Sequence, residues 1–317
     1  MPIKNRLAET HAEITSWRHH LHAYPELGFD VHETAAFVTE RLRGMGINDI
    51  TNGIGQTGVV AVIKGCKDTK GRVVGLRADM DALPILEQTG LDYASKIPGK
   101  MHACGHDGHV TMLLGAAKYL AETRDFEGTL IFCFQPAEEL AAGAKVMIDE
   151  GLLTRFPVKG VYGVHNWPEM PVGHFGAIHG GAMASADGVM ITVQGSGGHA
   201  AQPENARDPV VCASAIVMAA QTIVARTISP FEQAVVSITS IHGGEAWNVI
   251  PDQIQMRCNF RSFSEDVSAR MESELRRICA GTAQAHGCSV TVERPPLTPY
   301  PPVVNTAPEM ALAIDAM

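Results

Sequence analysis

The chain has 317 residues, of which 45% are hydrophobic and 19% are charged, and its net charge is −9. This length suffices for one large domain or two ordinary ones, and we expect two. Because no basic stripe offsets the acidic balance, we expect no nucleic acid partner. We also expect no membrane span, which needs an apolar run of roughly 18 residues, and the N-terminus does not resemble a secretory signal. These patterns favour a cytoplasmic location.

Seven cysteines are scattered along the chain without the spacing of a disulfide framework. Most of them, such as Cys133 and Cys212, lie in apolar segments, so we interpret them as reduced core residues. Cys104 differs because it lies among glycines and histidines.

The first half of the chain alternates between helical and extended patterns. Helical spacing of apolar residues predicts helices over residues 7–22 and 33–43, and β-branched runs predict strands over 58–63 and 73–77. The next predicted elements are a helix over 110–121, a strand over 129–134, a helix over 143–150 and a strand over 160–164. This alternation favours an α/β domain whose largely parallel sheet is flanked by helices.

Acidic and imidazole side chains follow three of these predicted strands. Asp79 and Asp81 come after the second strand, Glu138 and Glu139 after the third, and His165 after the fourth. Ligands bind outside the carboxyl ends of strands in open α/β sheets, so we expect these five side chains to share one site.

The segment from Met101 to His109, MHACGHDGH, contains one thiol and three imidazoles around two glycines. Cys104 and His106 are separated by one glycine, a spacing that allows both to bind one metal from a turn. The alternative is an ordinary helix N-terminus capped by Asp107. The pair Glu138–Glu139 is similarly ambiguous, because carboxylates are also favoured at an exposed helix N-terminus.

The second half has the pattern of a separate domain. Its predicted elements are strand 189–193, helix 208–226, strands 234–241 and 253–260, helix 265–286 and strand 288–293. This β-α-β-β-α-β order is that of a ferredoxin-like unit. The proline-rich run 295–302 resembles a linker, and a helix opens at 306 and is cut by the end of the sequence.

Taken together, the motifs resemble the hippurate hydrolase family of metal-dependent amidohydrolases. That family includes N-acyl-amino-acid hydrolases and hydrolases of auxin–amino-acid conjugates, within the larger aminoacylase and carboxypeptidase group. The matching stretches, in family order, are WRHHLHAYPELGFDVHET, LRADMDALPI, MHACGHDGHVTMLLGAA, FQPAEELAAGAKVMI, GVHNWPEMPVG, GSGGHAAQPENARDPV and NVIPD.

The resemblance implies a two-metal centre in the first domain. Its metal ligands would be Cys104, His106, Glu139 and His165. Glu138 would be the general base, and Asp81 the acidic residue that orients the site by holding a ligand imidazole in the right tautomer. A ligand set of sulfur, nitrogen and oxygen accepts zinc, manganese, cobalt or nickel.

The resemblance also implies that the second domain is an inserted lid and dimerisation domain. The catalytic domain would then comprise residues 1–185 and 298–317, and the lid residues 186–297. His199 would reach the active site of a neighbouring subunit and polarise the scissile carbonyl, although its pattern alone favours a turn histidine in a glycine-rich hairpin. Asn248 and Arg261 are similar to lid residues that meet the substrate carboxylate.

The implied reaction is hydrolysis of the amide bond of N-acyl or N-aroyl amino acids. An N-acetyl-amino-acid deacetylase and a diaminopimelate-type deacetylase of the same group are alternatives. Family members draw one further histidine ligand from a C-terminal segment that has no counterpart here, so an inactive truncated homologue is a third possibility. A thiol enzyme that uses Cys104 is a fourth.

Overall fold

A computed structural model of the protein describes residues 2–67, 71–139, 142–295 and 300–317. The chain forms two compact units, Met1–His174 and Phe175–Met317. The predicted boundary between residues 297 and 298 and half of the predicted linker, residues 296–299, lie outside the described residues. Residues 300–317 belong to the second compact unit. Their assignment to a catalytic domain stays a prediction.

The first unit is built on a five-stranded sheet with the order β1-β2-β4-β3-β5. Its strands are β1 (Ile50–Ile54), β2 (Gly58–Lys64), β3 (Val73–Asp79), β4 (Thr129–Gln135) and β5 (Gly160–Gly163). Strands β4, β3 and β5 are parallel, whereas β1 and β2 are antiparallel to their neighbours.

The sheet is therefore mixed, and the prediction of a largely parallel sheet holds for three of its strands. β1 is antiparallel to β2 because a tight turn joins them, in which Gly55 and Gln56 have φ values of 63° and 69°. So short a connection can only join antiparallel strands.

Helices cover both faces of this sheet. They are α1 (Pro2–Ala23), α2 (His32–Gly44), α3 (His106–Thr123), α4 (Gly143–Asp149) and α5 (Leu152–Arg155). Helices α1, α2 and α3 pack on the face that includes Phe132 and Phe134, while Met147 of α4 packs with Ile131 and Cys133 on the other face. Successive residues of β4 thus alternate between two apolar cores, as expected of a strand that is buried on both faces.

The second unit contains a four-stranded antiparallel sheet and two helices that share one core with it. Its elements are β7 (Asp187–Gln194), α6 (Pro209–Thr222), β9 (Ala234–His242), β11 (Gln253–Ser262), α7 (Glu265–Ala285) and β12 (Ser289–Glu293). They follow the β-α-β-β-α-β order that the sequence predicts, and the strand order in the sheet is β12-β7-β11-β9. The remaining elements are β6 (Gly180–Met183) paired with β13 (Val303–Asn305), β8 (Gly198–His199) paired with β10 (Val249–Ile250), and α8 (Ala307–Ala316).

One helical segment among the described residues, Pro209–Thr227, is long and apolar enough to cross a membrane by length and composition. The expectation that no segment would pass this test is therefore wrong. The segment consists of α6 and the π turn that follows it, and Cys212, Ile216 and Ala220 on one of its faces belong to the core of the second unit. A core helix passes the same test, so length and composition alone decide nothing here.

Candidate metal centre

The carboxyl ends of β4, β3 and β5 bring the predicted site residues of the first unit together. Asp79 is the last residue of β3, and Asp81 follows it by two positions. Glu138 and Glu139 lie just beyond β4, and His165 lies two residues beyond β5. Because these three strands are parallel neighbours, their ends lie at the same edge of the sheet.

Cys104 and His106 reach this edge from the turn that begins α3. Gly105, between them, has a φ of 86°, a left-handed conformation that favours glycine. A Cβ atom at this position would lie 2.5 Å from Oδ1 of Asn166. The turn therefore requires glycine both for its backbone conformation and for the close approach of Asn166.

The distance between Cys104 and His165 fits a shared metal ion. Their Sγ and Nε2 atoms are 3.5 Å apart. Zinc-to-sulfur and zinc-to-nitrogen bonds of about 2.3 and 2.05 Å at a tetrahedral angle would separate the two ligand atoms by about 3.6 Å. Cys104, His106 and His165 offer ligand atoms that all lie within 4.8 Å of one another.

His106 lies at the centre of a second group of ligand atoms. Its Nε2 atom is 3.8 Å from Oε1 of Glu139, 3.9 Å from Oε2 of Glu138 and 3.6 Å from Oδ2 of Asp79. Nε2 of His106 and Oε1 of Glu139 are buried and have no hydrogen-bond partner among the described residues. Buried polar atoms are normally satisfied, so two such atoms facing each other fit a bound cation.

Both imidazoles have the tautomer that metal binding needs. Nδ1 of His106 donates to the main-chain carbonyl of Asp81 at 2.7 Å. Nδ1 of His165 donates to the main-chain carbonyl of Asn166, also at 2.7 Å. With the proton on Nδ1, the lone pair of each Nε2 atom is directed into the site.

The carboxylate of Asp81 organises the loop that carries the two glutamates. It accepts the main-chain N–H of Glu138 at 2.8 Å and that of Glu139 at 3.1 Å. Its Oδ1 atom is 3.6 Å from Nδ1 of His106, too long for a hydrogen bond. We predicted that the Asp81 side chain would fix the tautomer of a ligand imidazole. The main-chain carbonyl of Asp81 makes this contact with His106 instead.

The electrostatics of the site favour a positive charge at its centre. Although burial lowers it, the neighbouring side chains of Asp81, Cys104 and Asp79 raise the pKa of His106 to about 11. Burial raises the pKa of Glu138, and burial together with the neighbouring Glu138 charge raises that of Glu139. A cation at this position would take the place of the His106 proton and neutralise the carboxylates.

The comparison with protein families identifies the chain. Residues 75–317 match the model of peptidase family M20/M25/M40. The chain belongs to this family. The resemblance that the motifs indicate is thereby confirmed, and the M20 protein is a hydrolase of amide C–N bonds.

Two relatives and one solved structure show how much of this chain, and of each relative, the similarity covers. A hippurate hydrolase of Campylobacter jejuni is 43% identical over 299 residues, which cover 94% of this chain and 77% of the relative. An N-acetylcysteine deacetylase of Bacillus subtilis is 41% identical over 290 residues, covering 91% and 75%. The crystal structure of a dinuclear metal-binding M20 peptidase from Bacillus subtilis has a TM-score of 0.80 at 37% identity, covering 98% of this chain and 80% of that one.

The predicted substrate-binding residues of the M20 protein lie in the second unit. His199 of β8 faces Val249 of β10, and the main-chain carbonyl of Asn248 accepts a hydrogen bond from the N–H of Ala200 at 2.9 Å, so His199 and Asn248 are neighbours. Arg261 is an exposed residue of β11 whose Nε donates to Oδ1 of Asn259 at 3.0 Å. The roles of His199, Asn248 and Arg261 stay predictions.

Three residues that border this centre have no role in the sequence-based prediction. His109, Asn166 and Arg77 form a connected chain of contacts with Asp79. His109 was visible as the last residue of the MHACGHDGH motif, but its partner Asn166 is 57 positions away. Only the strand order brings the two together.

Proposed function

We propose that the M20 protein hydrolyses N-acyl or N-aroyl amino acids with two divalent cations and a glutamate base. Cys104, His106, Glu139 and His165 would hold the cations. One observation carries the proposal: these four side chains converge at one sheet edge, where two buried ligand atoms have no other partner among the described residues. The names of the two relatives, a hippurate hydrolase and an N-acetylcysteine deacetylase, support the substrate class.

The charge of such a centre suits a substrate that bears a carboxylate. Two divalent cations exceed the charge of the Cys104 thiolate and the Glu139 carboxylate, so the occupied centre would be positive. Its mixed sulfur, nitrogen and oxygen ligands accept zinc, manganese, cobalt or nickel. When bound, the cations would polarise the scissile carbonyl and lower the pKa of a water molecule to about 7.

Glu138 is suited to be the general base. It is adjacent to Glu139, and its side chain is 37% exposed, more than the 16% of Glu139, so it can meet the substrate while Glu139 binds metal. Its raised pKa brings its proton affinity closer to that of the groups between which it would move a proton. Glu138 would take a proton from the attacking water and pass it to the leaving amine, and Asp81 would fix its position through the main-chain N–H.

Substitution of Glu138 tests this role. Glu138→Gln is expected to retain metal, because the ligand side chains are unchanged, and to lower kcat by about 10²–10⁴-fold. Metal content by mass spectrometry and steady-state kinetics on hippurate and N-acetylcysteine would measure both effects. Near-normal kcat would remove Glu138 from the role of base. Activity that survives exhaustive chelation but is lost on alkylation would instead favour the thiol enzyme.

Two acyl groups are candidates for the preferred substrate. The hippurate hydrolase relative favours an aroyl group, and the deacetylase relative favours an acetyl group. The ratio of kcat/KM for benzoyl and acetyl derivatives of one amino acid separates these two. A diaminopimelate-type deacetylase would prefer N-acetyl-diaminopimelate, and an inactive homologue would turn over none of these substrates.

We further propose that residues 186–297 form a ferredoxin-like lid that dimerises, in a soluble cytoplasmic enzyme. Strand β9 is an edge strand whose residues Val235 and Ile241 are 51% and 52% exposed, and Val211 and Met218 on α6 are 52% and 72% exposed. A paired edge and a covered helix face would bury this apolar surface. Sedimentation or light scattering would measure the mass of the particle, and a monomer at micromolar concentration would contradict the dimer.

In such a dimer His199 would act in the partner's active site. Glu138→Gln and His199→Ala variants would each be nearly inactive alone. A mixed dimer would contain one complete site and one site that lacks both groups. Because about half of the dimers in a random equal mixture are mixed, such a mixture should regain about one quarter of the wild-type activity. An absence of complementation would contradict action across the dimer. Loss of Asn248 or Arg261 is expected to raise KM if they meet the substrate carboxylate.

A further inference from the structure

Asn166 contacts three residues around the candidate centre, His165, His109 and Gly105. Its main-chain carbonyl accepts the proton of His165 Nδ1 at 2.7 Å, and its main-chain N–H donates to Nε2 of His109 at 3.1 Å. Its side-chain amide lies against Gly105, where a Cβ atom would be 2.5 Å from Oδ1. Asn166 therefore links the peptide that orients His165 to the turn that carries Cys104 and His106.

His109 connects Asn166 to the sheet. Because Nε2 of His109 accepts from Asn166, its proton lies on Nδ1, which donates to Oδ1 of Asp79 at 2.6 Å. The side chain of Asn166 also reaches this ring, with its Oδ1 atom 2.5 Å from Nε2 of His109. His109 is 3% exposed, so the ring has little freedom to turn.

Asp79 is in turn held by the strand it terminates. Its Oδ2 atom is 2.7 Å from Nη1 of Arg77, and Nε of Arg77 donates to Oε1 of Gln135 on β4 at 2.8 Å. Asp79 is 1% exposed. The chain of contacts from Arg77 through Asp79 and His109 to Asn166 thus starts from two neighbouring strands and ends at the residue after a proposed ligand.

We infer that His109 and Asn166 are positioning residues that hold His165 in the orientation in which its Nε2 atom faces Cys104. The physical reason is that His165 belongs to a loop beyond β5, which on its own would not fix the ring to within the few tenths of an ångström that metal geometry needs. The hydrogen bond from the main-chain N–H of Asn166 to His109 restrains the backbone of Asn166, whose carbonyl accepts the Nδ1 proton of His165. The inference rests on the metal assignment proposed above.

Two substitutions of His109 separate this role from simple packing. The side-chain amide of asparagine reaches about as far as Nδ1 of histidine, and that of glutamine about as far as Nε2. His109→Asn therefore keeps the contact with Asp79 and loses that with Asn166, whereas His109→Gln keeps an acceptor for the Asn166 N–H. His11→Asn, at an exposed position of α1, is the matched control.

The test is titration of metal-free protein with Co²⁺, followed by the thiolate-to-cobalt charge-transfer band that reports Cys104. His109→Asn is expected to weaken this binding step by about 10–100-fold, the usual effect of losing a partner of a metal ligand, and His109→Gln to stay within about threefold of wild type. Wild-type affinity in both variants would overturn the inference. Equal weakening in both would also overturn it, because the ring would then matter only for packing.

A second measurement needs no substitution. Asn166 is exposed, so its amide hydrogen should exchange with solvent quickly unless His109 accepts it. Slow exchange in wild-type protein is the expected result, and exchange at the rate of an open loop would overturn the inference even if His109→Asn failed to fold. If wild-type protein showed no thiolate-to-cobalt band, the metal assignment itself would be contradicted. If the band appeared with wild-type affinity in both His109 variants, only the positioning role would be contradicted.

Discussion

Replacement of Asp81 by asparagine is the sharpest single test of how the centre is built. The Asp81 side chain is 0% exposed, and its two oxygens accept the main-chain N–H groups of Glu138 and Glu139 at 2.8 and 3.1 Å. Asparagine has nearly the same shape but offers only one acceptor. Its NH₂ group would face one of the two N–H donors, so one hydrogen bond is lost and one buried donor has no partner.

The magnitude follows from these contacts. A hydrogen bond to a charged group contributes about 1.5–3 kcal/mol, and a buried donor without a partner costs about 1–3 kcal/mol. Because the lost bond and the unpaired donor are partly the same effect, we expect Asp81→Asn to lower the free energy of unfolding by about 2–4 kcal/mol. For a unit of this size the melting temperature would fall by roughly 5–15 °C. Displacement of Glu138 by about 1 Å would lower kcat by about 10²-fold.

Urea unfolding and steady-state kinetics of the same preparations would measure both effects. Asp92→Asn makes the same chemical change at an exposed position and is the matched control. Wild-type unfolding and unchanged kcat in Asp81→Asn would refute this role of the carboxylate. An equal loss of stability in the control would refute it as well, because the effect would then not depend on the two N–H groups.

Three further predictions concern charge, thiols and packing in the same two units. The hydrogen bond with Asp107 raises the pKa of His22 despite burial, so the stability that His22 contributes is full below about pH 6.5 and is lost as pH rises through its raised pKa. The destabilisation by His22→Gln should thus shrink from acid to alkaline pH in urea titrations. Burial raises the pKa of the Cys133 thiol to about 11, whereas Cys66 is exposed. A disulfide reagent should therefore label Cys66 long before Cys133. Equal labelling rates of the two thiols would contradict this packing. A Cβ atom at Gly143 would lie 1.8 Å from the main-chain oxygen of Pro136, in the loop that carries both glutamates. Gly143→Ala should therefore lower the free energy of unfolding by about 1–3 kcal/mol and lower kcat. An unchanged free energy of unfolding and an unchanged kcat would refute the clash.

The strands and helices that position the centre could be predicted because their signals are local. A β-branched run predicts the strand that ends at Asp79, and periodic apolar residues predict the helix after the Cys104 turn. The turn at Gly55 and Gln56 makes β1 antiparallel to β2, but the antiparallel pairing of β2 with β4 depends on which strands become neighbours. Strand order is a property of the packed sheet, so the mixed sheet was not predicted.

Residue types and their positions along the chain specify the available chemistry: a thiol, several imidazoles and paired carboxylates, each placed after a strand or at the start of a helix. Which of these atoms meet depends on the packed fold. Cys104 and His165 are 61 positions apart, yet their ligand atoms are 3.5 Å apart because β3 pairs in parallel with both β4 and β5. Contact geometry at that scale depends on side-chain directions and on how strands pack, neither of which a linear pattern of residue types specifies.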